Sequence, residues 1–248
     1  MSERTVLILG ATSGIARKLV HEFARHQYNI ILAGRDDEEL EVIAADLGVR
    51  YRVKTTIQHF DATNYRTHNA FWRRCLADCE NDLYGVVVCF GTMFAQEEAQ
   101  DDWAKSKAMI DGNYTAAVSI LNIAAGYFEE QKRGFIGVIT SVAGDRGRQG
   151  NYIYGSSKSA VSTYVQGLRQ RMYKAGVSVT DIKPGPVDTG MTWGGEKLPL
   201  LAPPEKVASD TFRAIRRGKD VAYTPAPWLI IMTILRIIPE ILWKRLKI

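Results

Sequence analysis

Residues 5–16 read Thr-Val-Leu-Ile-Leu-Gly-Ala-Thr-Ser-Gly-Ile-Ala. An apolar run ends at a glycine, three small residues follow, and a second glycine opens a helical pattern. Gly10 permits the tight turn, and Gly14 lets backbone approach a phosphate with no Cβ in the way. The N–H groups at the start of the helix then point at a pyrophosphate. Two glycines alone are a common way to join any strand to any helix. Their place after the first strand of an alternating chain makes this stretch a dinucleotide-binding loop, with Gly10, Thr12, Ser13, Gly14 and Ile15 against the cofactor.

The alternation continues outward from that loop. Residues 29–34 (NIILAG), 85–89 (GVVVC), 134–141 (GFIGVITS) and 177–183 (VSVTDIK) read as strands, 51–59 as a more polar one and 221–224 as a further one. Almost continuously apolar runs suit strands covered on both faces. Helical patterns lie at 15–26, 37–47, 65–79, 101–132, 156–174 and 204–217. This predicts an α/β fold: a single Rossmann-type, doubly wound parallel sheet of about seven strands with helices on both faces. Residues 1–224 form that domain in this reading, and 225–248 form a C-terminal apolar helical tail.

With 248 residues, 46% hydrophobic and 24% charged, the chain can bury one large core, which excludes a disordered chain, a collagen-like fibre and a disulfide scaffold. Cys75, Cys79 and Cys89 are an odd number and predict a reducing compartment. The first apolar run is too short for a signal peptide, and none approaches the ~20 residues of a membrane span, so a cytoplasmic protein is expected. His59 and His68 lie near Cys75 and Cys79, but no Cys-x-x-Cys or His-x-x-x-His spacing occurs and no metal is expected. Phe71 and Trp72 read as core or interface. The net charge of +5 is spread among acids with no nucleic-acid motif, so no nucleic-acid partner is expected. Arg213, Arg216, Arg217 and Lys219 read as a solvated helix face.

The second strand ends Ala33-Gly34-Arg35-Asp36, where such folds meet the adenosine ribose. An acid there holds a 2′-hydroxyl, whereas an arginine pairs with a 2′-phosphate through its fork, so Arg35 favours NADP(H) over NAD(H). Asp36 reads either as the cap of the following helix, the preferred reading, or as a rival of that phosphate. Asp61 and Ala62 follow the third strand, near the adenine. Ser141 ends an apolar strand, and Tyr154 and Lys158 open the pattern at 156–174. Their spacing of four places them on one helical face, where an ammonium favours phenolate and tunes the tyrosine for proton transfer. Tyr152 is the rival tyrosine, but six residues from Lys158 it lies well round the helix.

Gly10…Gly14-Ile15-Ala16, Asn113, Ser141, Tyr154-x-x-x-Lys158 and Pro184-Gly185-x-x-x-Thr189 together resemble the short-chain dehydrogenase/reductase family, over nearly the whole chain. The resemblance implies that Tyr154 protonates the carbonyl oxygen in reduction, Ser141 hydrogen-bonds that oxygen, and Lys158 holds the nicotinamide ribose. It also implies that Asn113 supports a relay water, and that Gly91, Pro184, Gly185, Val187 and Thr189 line the cofactor. Two positions depart from the family. Ala16 replaces a third glycine, and Cys89-Phe90-Gly91 replaces Asn-Ala-Gly. Segments 113–119 and 151–158 and the tail resemble a subgroup, the decaprenylphosphoryl-2-keto-β-D-erythro-pentose reductases. These reduce a ketone made by a partner oxidase on a lipid-linked sugar.

That resemblance implies an NADP(H)-dependent reductase of a small-molecule or lipid-linked ketone. Another apolar ketone, acyl or steroid-like, is the alternative within enzymes. A non-catalytic cofactor-binding scaffold is the alternative of another class. Specificity is expected in loops 142–151 and 191–203, where Arg146 and Arg148 read as phosphate ligands or as solvated charges. A homo-oligomer, dimer or tetramer, is expected by analogy, with Tyr164, Val165 and Leu168 as contacts. The tail 228–248 reads WLIIMTILRIIPEILWKRLKI and carries +3 from Arg236, Lys244, Arg245 and Lys247 against Glu240. Too short to span a bilayer, it reads as an interfacial helix at the inner face of a membrane, or as a cover for the sheet edge or a partner subunit.

Overall fold

The computed structural model describes residues 4–190 and 200–246. In chain order these form β1 (Thr5–Leu9), α1 (Gly14–Arg25), β2 (Asn29–Gly34), α2 (Asp37–Tyr51), β3 (Thr55–His59), α3 (His68–Asp78), β4 (Leu83–Val88), α4 (Gln96–Asp101) and α5 (Trp103–Ile110). A π-turn (Asp111–Thr115) follows, then α6 (Ala116–Gln131), β5 (Phe135–Ile139), α7 (Tyr152–Tyr173), β6 (Ser178–Pro184), α8 (Pro204–Arg216), β7 (Val221–Thr224), α9 (Pro227–Ile237) and α10 (Glu240–Trp243). The strands make one sheet in the order β3-β2-β1-β4-β5-β6-β7. Every pair is parallel.

Successive residues of β1 feed opposite faces. Leu7 and Leu9 join one core with Phe128, Ile136 and Val161. Val6 and Ile8 join the other with Phe23, Leu32 and Phe212. A sheet buried on both sides explains the near-absence of polar residues in its central strands. The chain order reverses between β1 and β4, so a crevice opens there at the carboxyl ends of the strands. Side chains start the helices that border it. Ser13 Oγ accepts from the Ala16 amide at 3.4 Å. Asp36 Oδ1 accepts from the Glu39 amide at 3.1 Å.

Several boundaries differ from the sequence expectation. Helix α2 runs through Gly48, which has open space around it, to a left-handed Arg52 at φ 57°, so the third strand starts only at Thr55. The pattern at 101–132 is three pieces. Asp102 caps α5 by accepting from the Ala104 amide at 2.9 Å, and the π-turn separates α5 from α6. Helix α7 begins at Tyr152, four residues before its pattern becomes regular. Ala16 is fully buried in the second core, so its methyl is absorbed there. Phe71, Trp72 and Cys75 belong to the first core. Among the described residues no group of three or more His, Cys, Asp or Glu could hold a metal.

Candidate active site

The loop after β1 turns at Gly10, whose φ of 79° suits glycine. A Cβ there would lie 2.7 Å from the Phe90 backbone nitrogen. A Cβ on Gly14 would lie 2.6 Å from Thr189 Cγ2, so the loop after β6 rests against the loop after β1. Ile15 packs beside Val187. A cleft of about 790 Å³ opens over this turn, lined by Gly10, Thr12, Ser13, Arg35, Asp61, Ala62 and Gly91 among others. Glycine backbone, a helix N-terminus and a cation at the end of β2 fit an extended dinucleotide diphosphate. Asp36 serves as a helix cap, whereas Arg35 lines the cleft near Asp61. The Thr63 amide and hydroxyl, at 2.9 and 2.8 Å, hold Asp61 below the ordinary carboxylate range.

The catalytic candidates converge on the carboxyl end of β5. Ser141 leaves the strand extended, and its Oγ accepts from the Ala143 amide at 3.1 Å. Tyr154 is 9% exposed and Lys158 5%, one turn apart on α7. Lys158 Nζ lies 5.8 Å from the Tyr154 ring centroid and donates to the Ile139 carbonyl at 3.2 Å. Asn113, in the π-turn, is gripped from both ends. Its Oδ1 accepts from the Thr92 amide at 2.8 Å, and its Nδ2 donates to Thr92 O and to Ser157 Oγ, both at 2.9 Å. Gly91 keeps the centre open: a Cβ there would sit 2.9 Å from Asn113 Oδ1 and 3.2 Å from Lys158 Nζ.

Burial governs the titration of this group. It pushes the Tyr154 phenol up to about 12, and the hydrogen bond to Ser141 works the other way. It pulls the Lys158 ammonium down to about 8, against the attraction of Asp181 and Cys89. Tyr154 therefore stands above the ordinary phenol value and not below it: desolvation outweighs the lowering expected from Lys158, whose ammonium donates to Ile139 O and is itself costly to charge there. Tyr154 keeps its proton at neutral pH, as a proton donor must. Tyr152 is 46% exposed and donates to Gln100 Oε1 at 3.2 Å, away from this cluster.

A family profile described as short chain dehydrogenase matches residues 4–197. An uncharacterized oxidoreductase of Mycobacterium tuberculosis is 32% identical over 241 residues, covering 97% of this chain and 96% of the relative. One from Streptomyces coelicolor is 32% identical over 252 residues, covering 99% and 96%. The chain belongs to the short-chain dehydrogenase family. It is an NAD(P)-dependent oxidoreductase. A short-chain dehydrogenase from Sphingobium yanoikuyae, solved in complex with NADPH, shares the fold at TM-score 0.81 and 24% identity, covering 96% of this chain and 97% of that one.

The rest of the dehydrogenase site was less visible in its sequence. Pro184 ends β6, and Gly185 lies under the Trp228 indole of α9, which leaves no room for a Cβ. A buried polar network stands below the Ser141 loop. Lys183 Nζ reaches Asp145 at 2.5 Å, Tyr223 donates to Asp145 at 2.6 Å, and Asp181 accepts from Thr140 and Ser162, both at 2.5 Å. The signal for it in the sequence was a pair of charges, Asp181 and Lys183, in a strand whose other residues are uncharged. Arg17 was also missed. From α1 it donates to Thr12 O at 2.9 Å, beside the cofactor loop, and pairs with Glu39.

Two expectations need correction, one for the substrate loop and one for the subunit contact. Arg146 is no phosphate ligand. Its Nη1 donates to the carbonyls of Leu235, Arg236 and Ile238 at 3.1, 2.9 and 2.7 Å, and its Nη2 pairs with Glu240 at 3.0 Å. The cation is spent on the C-terminal end of α9, where carbonyls lack helical partners. Arg148, by contrast, has no hydrogen-bond or ion-pair partner among the described residues, and its Nε is buried. Val165 is fully buried in the first core and cannot be an intersubunit contact. In the second specificity loop, 191–199 lie outside the described residues, as does Lys247.

Proposed function

We propose that this dehydrogenase reduces a ketone to an alcohol with NADPH, and that its ketone is the 2-keto group of a polyprenyl-phosphate-linked sugar. The reaction would complete an epimerisation begun by a partner oxidase. The observation that carries the substrate reading is Arg148. A guanidinium in the loop between Ser141 and Tyr154 with no partner among the described residues suits a phosphate, through the paired donors of its fork. The subgroup resemblance of segments 113–119 and 151–158 supports the same class.

The bound cofactor supplies hydride to the carbonyl carbon. This chain does the rest. Ser141 and Tyr154 hydrogen-bond the carbonyl oxygen, and Tyr154 gives it a proton. Lys158, beneath the ring, favours the phenolate left behind and holds the cofactor ribose. Asn113, fixed by Thr92 and Ser157, supports the water that returns the proton. Arg35 takes the 2′-phosphate, so NADPH is favoured over NADH.

The test is NADPH consumption by purified enzyme with a polyprenyl-phosphate 2-keto-pentose, beside acyl and steroid-like ketones without phosphate. Arg148→Gln should raise KM for the phosphorylated ketone by about tenfold or more, the worth of a charge-assisted pair, and leave the neutral ketones unchanged. Faster turnover of the neutral ketones would sink the lipid-sugar reading. Cofactor binding with no ketone reduced at all would leave a scaffold. In the same assay Arg35→Ala should weaken NADPH roughly tenfold to a hundredfold and NADH little. Equal losses would remove the 2′-phosphate assignment.

A further inference from the structure

Helix α9 has an inner and an outer apolar face. Inward, Trp228 and Met232 are buried against Val142, with Ile231 and Leu235 packed beside them. Outward, Ile230, Ile234 and Ile237, spaced i, i+4 and i+7, form one stripe exposed by 67%, 54% and 75%. Ile241, Leu242 and Leu246 extend it past Pro239 at 62%, 53% and 45% exposure. Isolated exposed isoleucines need no explanation, but six exposed large apolar side chains between Ile230 and Leu246 do.

The charges around the stripe say what covers it. Lys244 and Arg245 are exposed and, among the described residues, have no carboxylate partner; Arg236 is exposed too but hydrogen-bonds Tyr223, while the single acid, Glu240, is neutralised by Arg146 at 3.0 Å. The bare surface is therefore apolar and cationic. A second copy of the chain meeting it across a two-fold axis would set these cations against their own copies. An anionic lipid surface complements both properties, taking the isoleucines below the headgroups and the cations among them.

We propose that α9 and α10 dock on an anionic lipid bilayer surface. The tail is bolted to the catalytic end of the sheet. Trp228 lies on Gly185, Arg146 of the Ser141 loop caps α9, and Trp243 Nε1 donates to Gly147 O at 3.0 Å. Docking therefore places the loops after β5 and β6, which border the candidate catalytic group, next to the lipid. The inference stands apart from the identity of the ketone.

The experiment is co-sedimentation of the full-length protein with vesicles of phosphatidylcholine alone or equimolar with phosphatidylglycerol. Each cation near an anionic surface is worth about fivefold in binding, so the mixed vesicles should bind at least tenfold more tightly and release the protein as salt rises. Ile234→Glu with Ile237→Glu should abolish binding, and Lys244→Glu with Arg245→Glu should abolish the preference for the anionic lipid. All four positions are exposed, so thermal melting and turnover of a water-soluble ketone should stay at wild-type values. That keeps a failure of docking separate from a failure of the enzyme. Absence of wild-type binding, binding indifferent to the isoleucine changes, or a drop in oligomeric mass in the isoleucine variant would overturn the proposal.

Discussion

Tyr154 shows how one residue's surroundings set its use. Its phenol is buried, held up at about 12, and touched by Ser141, so it enters the reaction protonated. Tyr154→Phe keeps the ring's packing and removes only the proton, so single-turnover reduction at saturating NADPH should fall by roughly 10²–10⁴-fold with cofactor affinity nearly unchanged. A variant retaining more than about a tenth of the rate would reassign the acid. Lys158 sets the pH dependence. Below about 8 it is the ammonium that favours phenolate, and above it that help is lost. The kcat/KM of reduction should be level on the acid side and fall as pH rises through about 8, because the free enzyme's groups govern that ratio. Lys158→Arg should move the fall to higher pH, and a wild-type profile flat through that value would refute the role. Tyr154 and Lys158 were legible because a spacing of four needs only a helix to bring them together. Arg146 was not, because its partners lie 89 to 94 residues away in sequence.

Elements were legible where one periodicity ruled and blurred where a side chain intervened. The strands ending at Leu9, Gly34 and Val88 follow directly from apolar runs stopped by glycine or by the crevice. The break at 111–115 does not, because it depends on Asn113 reaching back to Thr92, a pairing that no local pattern announces. A π-turn is a frequent mark of a functional position, and here it carries a candidate catalytic residue. The tail shows the same limit. Its amphipathic character was readable, but the Arg146 clamp that joins α9 to the Ser141 loop was not. The Arg146 side chain is only 14% exposed, makes three carbonyl hydrogen bonds and lies 4.4 Å from the Trp243 ring centroid. Arg146→Ala should cost about 2 kcal/mol, the worth of charged hydrogen bonds lost in a partly buried place. In a chain of this size that lowers Tm by roughly 4–8 °C. Because α9 rests on Gly185, kcat should fall with it. A variant melting at the wild-type temperature would show that Trp228 and Met232 hold the tail alone.

At the scale of the molecule, the sheet order, the two cores and the crevice at the β1/β4 switch follow from alternation and handedness. The assembly does not follow, because a surface that meets its own copy shows no periodicity of its own. A groove of about 1380 Å³ lies outside the candidate catalytic group, lined by Trp103, Ile110, Tyr152, Ala160, Tyr164 and Gly167 of α5 and α7. Trp103 is 71% exposed there. Val165 is turned into the core, whereas Tyr164 and Gly167 line this groove with Ala160, so a two-fold contact through α7, which the family resemblance implies, would use them. A symmetric contact repeats each residue opposite its own copy, so one charge placed near the axis is felt twice. Gly167 has no atom within 4 Å of the position its Cβ would take, so Gly167→Arg leaves the protomer's packing untouched. Light scattering at micromolar concentration should give the wild type a whole-number multiple of 27.7 kDa, two or four, and Gly167→Arg the single mass. A wild-type monomer would end the oligomer reading. An oligomer undisturbed by Gly167→Arg would move the interface off this groove.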